Sequence, residues 1–152
     1  MGTTRKRGAP APLDETLSYR LHLLHKLSDR DSQLAYQREM GLSLADGRCL
    51  ATIGAFAPLS VVDLARRANL NKGQASRAAQ ALVEQGLVRK VGSETDGRGV
   101  VLDLTSTGRR TWARTMALIA RRNEEIFACL DASERQAFSA YLDRLIAHNR
   151  PV

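Results

Sequence analysis

Between Ser60 and Gly108 a helix-turn-helix pattern runs without a break into a short two-stranded ribbon with one arginine at its tip. Few folds accommodate that order, and the one it fits best is a winged helix. Ser60 followed by Asp63 resembles a capping box that starts a short helix near Val61, with Leu64, Ala65 and Ala68 as its small apolar face. The turn Asn69-Leu70-Asn71 comes next, and Asn71 is placed to cap a second helix, with Gln74 able to reach back to the cap. Ala75, Ala78, Ala79, Leu82 and Val83 then recur at helical spacing as a buried stripe. Gly86 ends this helix as a left-handed cap. Leu87 to Val91 reads as one strand and Val100 to Leu104 as its partner.

The second helix leaves Lys72, Gly73, Gln74, Ser76, Arg77 and Gln80 on its outer side. Two cations among short polar side chains form the mixture that contacts phosphates and base edges in a DNA major groove. An ordinary amphipathic helix presents a similar face, so the pattern gains weight from the ribbon that lies directly after it in the chain. The loop GSETDGRG joins the two strands and contains Asp96, Gly97 and Arg98. Its glycines allow a tight bend and close approach to a backbone. A single arginine on such a tip suits a narrow minor groove, where negative potential concentrates. Alone, the same loop reads more commonly as a solvated hairpin, and its position directly after the second helix is what sets the two readings in competition.

Charge supports a polyanionic partner. The formal net charge is +7, and Ser60 to Arg110 holds nine Lys/Arg against five Asp/Glu. Arg5, Lys6 and Arg7 supply the rest of the surplus, and the remainder of the chain balances at eleven against eleven. Residues 1–12, MGTTRKRGAPAP, lack apolar periodicity and read as a disordered basic arm. That arm has no apolar run of a secretory signal, and no stretch approaches the roughly 18 consecutive apolar residues of a membrane span. A cytoplasmic protein without a membrane partner is expected.

The flanking segments are helical. Leu13, Leu17, Leu21, Leu24, Leu27 and Leu34 mark one long helix that ends near Glu39-Met40-Gly41, and 43–56 forms another, stopped by Pro58. Thr105 starts a long helix bearing Trp112, Met116, Ile119 and Phe127, and Asp131 with Glu134 looks like the capping box of a last helix. On that helix Phe138, Tyr141, Leu142, Leu145 and Ile146 form one stripe. A monomer has difficulty covering both terminal stripes, and a second copy in a two-fold homodimer is their natural cover, with an internally closed bundle as the competing arrangement.

Catalytic motifs of the common classes, G-x-S-x-G, H-E-x-x-H, the P-loop and G-x-G-x-x-G, are missing from the sequence, so no enzyme and no cofactor is expected. His22, His25 and Asp29 lie at one-turn spacings that would suit a metal, but the ligand set is incomplete and polar surface groups are the better reading. Two cysteines far apart, Cys49 and Cys129, argue against a disulfide framework. Cys49 stands among apolar neighbours and reads as an inert core thiol rather than a redox sensor.

The stretch from Asp96 to Gly108 resembles the wing signature of the MarR family of winged helix-turn-helix transcriptional regulators: D-x-R, five residues, then L-T-x-x-G. Ser76-Arg77 through Leu82, Gly86-Leu87-Val88, and Leu42-Ser43 with Arg48 and Leu50 are similar to the family as well, so the resemblance runs from about Leu13 to Asn149. Gly47 stands where members often carry tryptophan, and Gly99 where the wing often has alanine. The resemblance implies a mainly α chain with a small β-wing, organised as one domain over 13–152. Within it, 43–108 is the winged helix-turn-helix lobe, and 13–40 with 109–149 are dimerisation helices. It also implies a dimeric repressor of a palindromic double-stranded DNA operator. Lys72, Gly73, Gln74, Ser76, Arg77 and Gln80 would meet the major groove, and Arg98, oriented by Asp96, the minor groove. Release by a small aromatic or phenolic acid is implied too, with Arg20, His22, His25, Ser43 and Arg48 as candidate ligand-binding residues. An architectural DNA-binding protein without a ligand, or a thiol-based regulator, are the alternatives.

Overall fold

In the computed structural model, residues 8–92 and 99–152 are described. A single 3-10 turn, Leu13–Glu15, precedes six helices and two strands: α1 (Leu17–Met40), α2 (Leu44–Phe56), α3 (Val61–Arg67), α4 (Lys72–Glu84), β1 (Val88–Gly92), β2 (Val100–Leu104), α5 (Ser106–Ile126) and α6 (Ala132–Asn149). The mainly helical architecture with a small antiparallel ribbon matches the sequence expectation.

Most boundaries follow from local chemistry. Ser43 Oγ accepts the Asp46 N–H at 3.1 Å to open α2, and Thr105 Oγ1 accepts the Gly108 N–H at 2.9 Å to open α5. Gly41 and Gly86 take the left-handed conformation, with φ of 64° and 73°, and end α1 and α4. Asp131 and Glu134 form the expected reciprocal box at α6.

Three expectations need correction. The first helix does not run unbroken from Leu13, because Thr16 is extended and caps α1, donating its hydroxyl to Leu13 O at 2.6 Å. The Ser60 box at α3 is only half made: Ser60 Oγ accepts the Asp63 N–H, while the Asp63 carboxylate turns to Arg66 at 3.1 Å. β1 begins at Val88 rather than Leu87, because the Leu87 N–H is still engaged by Leu82 O at the end of α4.

The core sits in the winged lobe, where Leu42, Cys49, Leu50, Ile53, Leu64, Leu82, Val88 and Leu102 are all fully or nearly fully buried. Ala65 is buried where α3 packs on α4, whose inner face is Ala75, Ala78, Ala79 and Leu82. The ribbon pairs Val88 with Leu104 through Gly92 with Val100, and Leu59 adds a single bridge to Leu102 that ties the α2–α3 connection to the sheet. On α5, Thr115 and Leu118 take the buried positions, while Met116 faces outward. Trp112 lies against Gly54 and donates its indole N–H to Ala51 O at 3.1 Å, fixing α5 on α2. By contrast, α6 has no buried residue, and α1 leaves Leu17, Leu21, Leu24 and Leu27 exposed.

Candidate nucleic-acid interface and effector cleft

The orientation of α4 is set by its first turn and its inner face. Asn71 Oδ1 accepts the Gln74 N–H at 2.8 Å, and Gln74 Oε1 accepts the Asn71 N–H at 3.1 Å. Small alanines on the inner face let the helix approach α2 and α3 closely, so the opposite face stands clear of the protein. Lys72, Gly73, Gln74, Ser76, Arg77 and Gln80 are all exposed on it. They share one surface, but not one role: the carbonyl end of Gln74 is already engaged by the cap.

Gly73 acts through space. A Cβ there would sit 3.3 Å from Arg77 Nη1, so the glycine leaves room for the Arg77 guanidinium to fold back towards the helix start. Lys72 and Arg77 thereby put positive charge at the end of the helix where its dipole is also positive. At the other end Gln80 accepts from Lys90 Nζ at 2.9 Å and donates to Glu84 at 3.3 Å. Neither Glu84 nor Lys90 figured among the sequence candidates. On the ribbon Arg89 stands opposite Asp103, with 3.6 Å between guanidinium and carboxylate. Gly99 has φ of 85°, a conformation an alanine there would adopt only under strain. Asp96 and Arg98 lie outside the described residues.

The five candidate ligand residues do not converge. Arg20 and His22 are exposed on α1, and Ser43 is engaged as the cap of α2. His25 Nε2 lies 3.1 Å from Asp29 Oδ2, and the other oxygen of that carboxylate accepts from Arg48 at 2.5 Å, tying α1 to α2. Of the five, Arg48 lines a cleft of about 230 Å³ between α1, α2 and α5, with Ser32, Tyr36, Leu44, Ile119, Arg122, Asn123 and Ile126. Tyr36 is almost fully buried there, and burial pushes its phenol above the ordinary tyrosine value, partly opposed by Arg48. It is therefore a neutral hydrogen-bonding group at neutral pH.

Arg122 is the residue sequence reasoning missed. Its side chain is only 12% exposed, with an ion pair to Glu125 at 2.5 Å and hydrogen bonds to Ser32 Oγ and Ser28 O at 3.2 and 3.4 Å. In the sequence it is one of two adjacent arginines, and only the helix phase against α1 separates it from exposed Arg121. A wider groove of about 910 Å³ lies between Phe56, Arg66 and Arg67 on one side and Ile146, Arg150 and Pro151 on the other, with Arg67 stacked 4.1 Å from the Phe56 ring centroid.

Cys49 is fully buried, and burial with the nearby Asp46 charge pushes its thiol up to about 12. Cys129 is exposed. Among the described residues no three His, Cys, Asp or Glu side chains gather as a metal site, and no helix is long and apolar enough to cross a membrane.

A model of the MarR family matches residues 40–99, from the end of α1 to the wing. The HTH-type transcriptional repressor Rv2887 of Mycobacterium tuberculosis is 27% identical over 106 residues, which cover 70% of this chain and 76% of that protein. A MarR-family transcriptional regulator from Silicibacter pomeroyi superposes with a TM-score of 0.79 at 27% identity, covering 93% of this chain and 94% of the other. Bordetella bronchiseptica BpsR, whose DNA binding is regulated by 6-hydroxynicotinic acid, shares the fold with a TM-score of 0.81 at 19% identity, covering 93% of this chain and 100% of its own.

Proposed function

We propose that this chain, which belongs to the MarR family of winged-helix transcriptional regulators, is a dimeric repressor that binds a palindromic operator and lets go when a small organic anion enters the α1–α2–α5 cleft. The observation that carries the DNA-binding part is the clear outer face of α4, with Lys72 and Arg77 near the capped helix start and Gln80 beside the ribbon at the other end. In this reading Lys72 and the first-turn amides clamp a phosphate, while Ser76, Arg77 and Gln80 face the base edges. Gln74 takes part through its amide nitrogen, Gly73 by giving Arg77 room, and Arg98 with Asp96 at the ribbon tip enters the minor groove. The repressor assignment is supported by the role of the Mycobacterium tuberculosis relative.

The release mechanism centres on Asp29 and Arg48. That ion pair joins α1, on the side proposed for dimerisation, to α2 of the winged lobe. An organic carboxylate, aromatic in keeping with the apolar and tyrosine lining, would compete with Asp29 for Arg48 and uncouple the two helices. Release then requires that the ligand bind the uncoupled state more tightly than the DNA-competent one. Burial and the raised value of Cys49 speak against a thiolate sensor at that position.

DNase footprinting on the DNA around the protein's own gene tests the proposal. One protected site with two half-sites about a helical turn apart is expected, lost on adding an effective aromatic acid. Uniform coating of the DNA would favour an architectural protein, and a footprint that no aromatic acid changes would remove the release mechanism.

A further inference from the structure

The lysine that touches the recognition helix comes from the inner side of the ribbon. Val88 and Lys90 share one face of β1, and Lys90 stands opposite Leu102, which, like Val88, is buried in the core. The Lys90 stem therefore starts on the core side, and its ammonium emerges beside α4. There Nζ donates to Gln80 Oε1 at 2.9 Å, and Gln80 Nε2 donates to Glu84 Oε1 at 3.3 Å.

Only one orientation of the central amide satisfies both neighbours. An ammonium can only donate and a carboxylate can only accept, so the Gln80 oxygen must face Lys90 and its nitrogen must face Glu84. A glutamine with both ends free reads adenine through N6 and N7 together, donating and accepting at once. The oxygen keeps a second lone pair, but an ammonium 2.9 Å away sets positive charge beside any donor approaching it, while the second N–H of Nε2 stays open to an acceptor; guanine N7 and O6 are thereby favoured over the adenine N6 donor.

We propose that Lys90 is a positioning residue for sequence recognition: it fixes the Gln80 amide as a hydrogen-bond donor and gives one base pair of each half-site a preference for an acceptor-rich guanine over adenine. The inference rests on the reading of α4 as the major-groove helix. Lys90 acts through Gln80, so its loss changes which base is chosen. A lysine that only met a phosphate would instead weaken all sequences alike and lower the salt slope by about one.

Enrichment of random duplex DNA by the full-length protein, followed by competition binding on the enriched site, separates these roles. The parent is expected to enrich a two-fold symmetric site, and Gln80→Ala to lose the guanine preference at one base pair per half-site. Lys90→Met should lose it at that same base pair, by roughly tenfold in relative affinity, while Lys90→Arg, which still donates, keeps it. Lys90→Ala takes the place of Lys90→Met if the latter does not fold, judged by thermal melting. Retention of the Gln80-dependent preference in Lys90→Met, uniform weakening at every position, or no position dependent on Gln80 would each overturn the inference. A parent protein that binds DNA but enriches no sequence defeats the base-reading role of α4 itself, and the role of Lys90 with it.

Discussion

Gly108 lies so close to the carbonyl group of Leu87 that a Cβ on residue 108 would overlap the carbonyl oxygen. Thr105 closes the same joint from one turn earlier. Its N–H donates to Leu87 O at 3.1 Å, and its hydroxyl donates to Gly86 O at 2.6 Å while accepting the Gly108 N–H. Thr105 and Gly108 are thus the seam between the end of α4 and the start of α5.

Gly108→Ala is therefore expected to destabilise the fold by about 1–3 kcal/mol, since backbone rather than a pliable side chain must move. Urea unfolding checks it. A change of less than a few tenths of a kcal/mol would mean that the seam relaxes at little cost. Thr105→Val keeps the shape but removes the cap and should cost about 1 kcal/mol.

A second close approach accounts for the glycine at position 47. A Cβ on Gly47 would overlap the Tyr36 ring, so Tyr36 of α1 occupies the space into which a larger residue on α2 would project. Gly47→Ala should lower the thermal midpoint in the Tyr36 background and be partly rescued in Tyr36→Ala, giving a coupling energy of roughly 0.5–3 kcal/mol in a double-mutant cycle. Additive effects would show that the ring swings aside freely.

These two contacts show why part of the molecule was legible from its sequence and part was not. The Asn71–Gln74 and Asp131–Glu134 boxes, the Gly86 cap and the alanine face of α4 are local, so residue type and spacing suffice to place them. Tyr36 gives no such signal: it lies off the leucine stripe of α1, and its burial depends on Gly47 standing opposite. Arg122 is hidden for a similar reason, because Ser28 and Ser32 receive it from a helix 90 positions or more away in the chain. The Ser60–Asp63 box failed because Arg66, one turn on, competes for the carboxylate. Five candidate effector residues came from one-dimensional likeness, and only Arg48 reached the cleft.

The Cys49 thiol gives a pH dependence with a definite sign. Burial raises it from 9.0 to about 12, so between those values the folded protein keeps a proton that the unfolded chain has released. Its contribution to stability is complete below about pH 9 and is lost as pH rises towards 12. Chemical unfolding from pH 8 to 10.5 should show a decline that is shallower in Cys49→Ala. Native protein at pH 8 should also resist alkylation at Cys49, which becomes reactive in denaturant; fast native labelling would contradict the burial.

Leu17, 75% exposed on α1, and Leu145, 50% exposed on α6, leave apolar surface at both ends of the chain without cover in one copy. Light scattering is expected to give twice the 16.7 kDa chain mass before DNA is added. Alanine at Leu142 and Leu145 together should shift the equilibrium towards monomer at micromolar concentration. A parent protein that is already monomeric there would require the two faces to be closed in another way.

The ribbon tip supplies the last test, because its proposed role separates binding from folding. Arg98 lies outside the described residues, in the segment of sequence between two strands that carry the buried residues Val88, Leu102 and Leu104. A guanidinium inserted into a minor groove contributes to the complex and little to the free protein. Arg98→Ala should accordingly weaken operator binding by roughly 1–3 kcal/mol while the thermal midpoint stays within a degree or so of the parent, about the effect of a surface change of a few tenths of a kcal/mol. Gel-shift titration at fixed salt, paired with melting, measures both. Unchanged affinity removes Arg98 from the interface. A large fall in the midpoint assigns it a structural role in the ribbon instead.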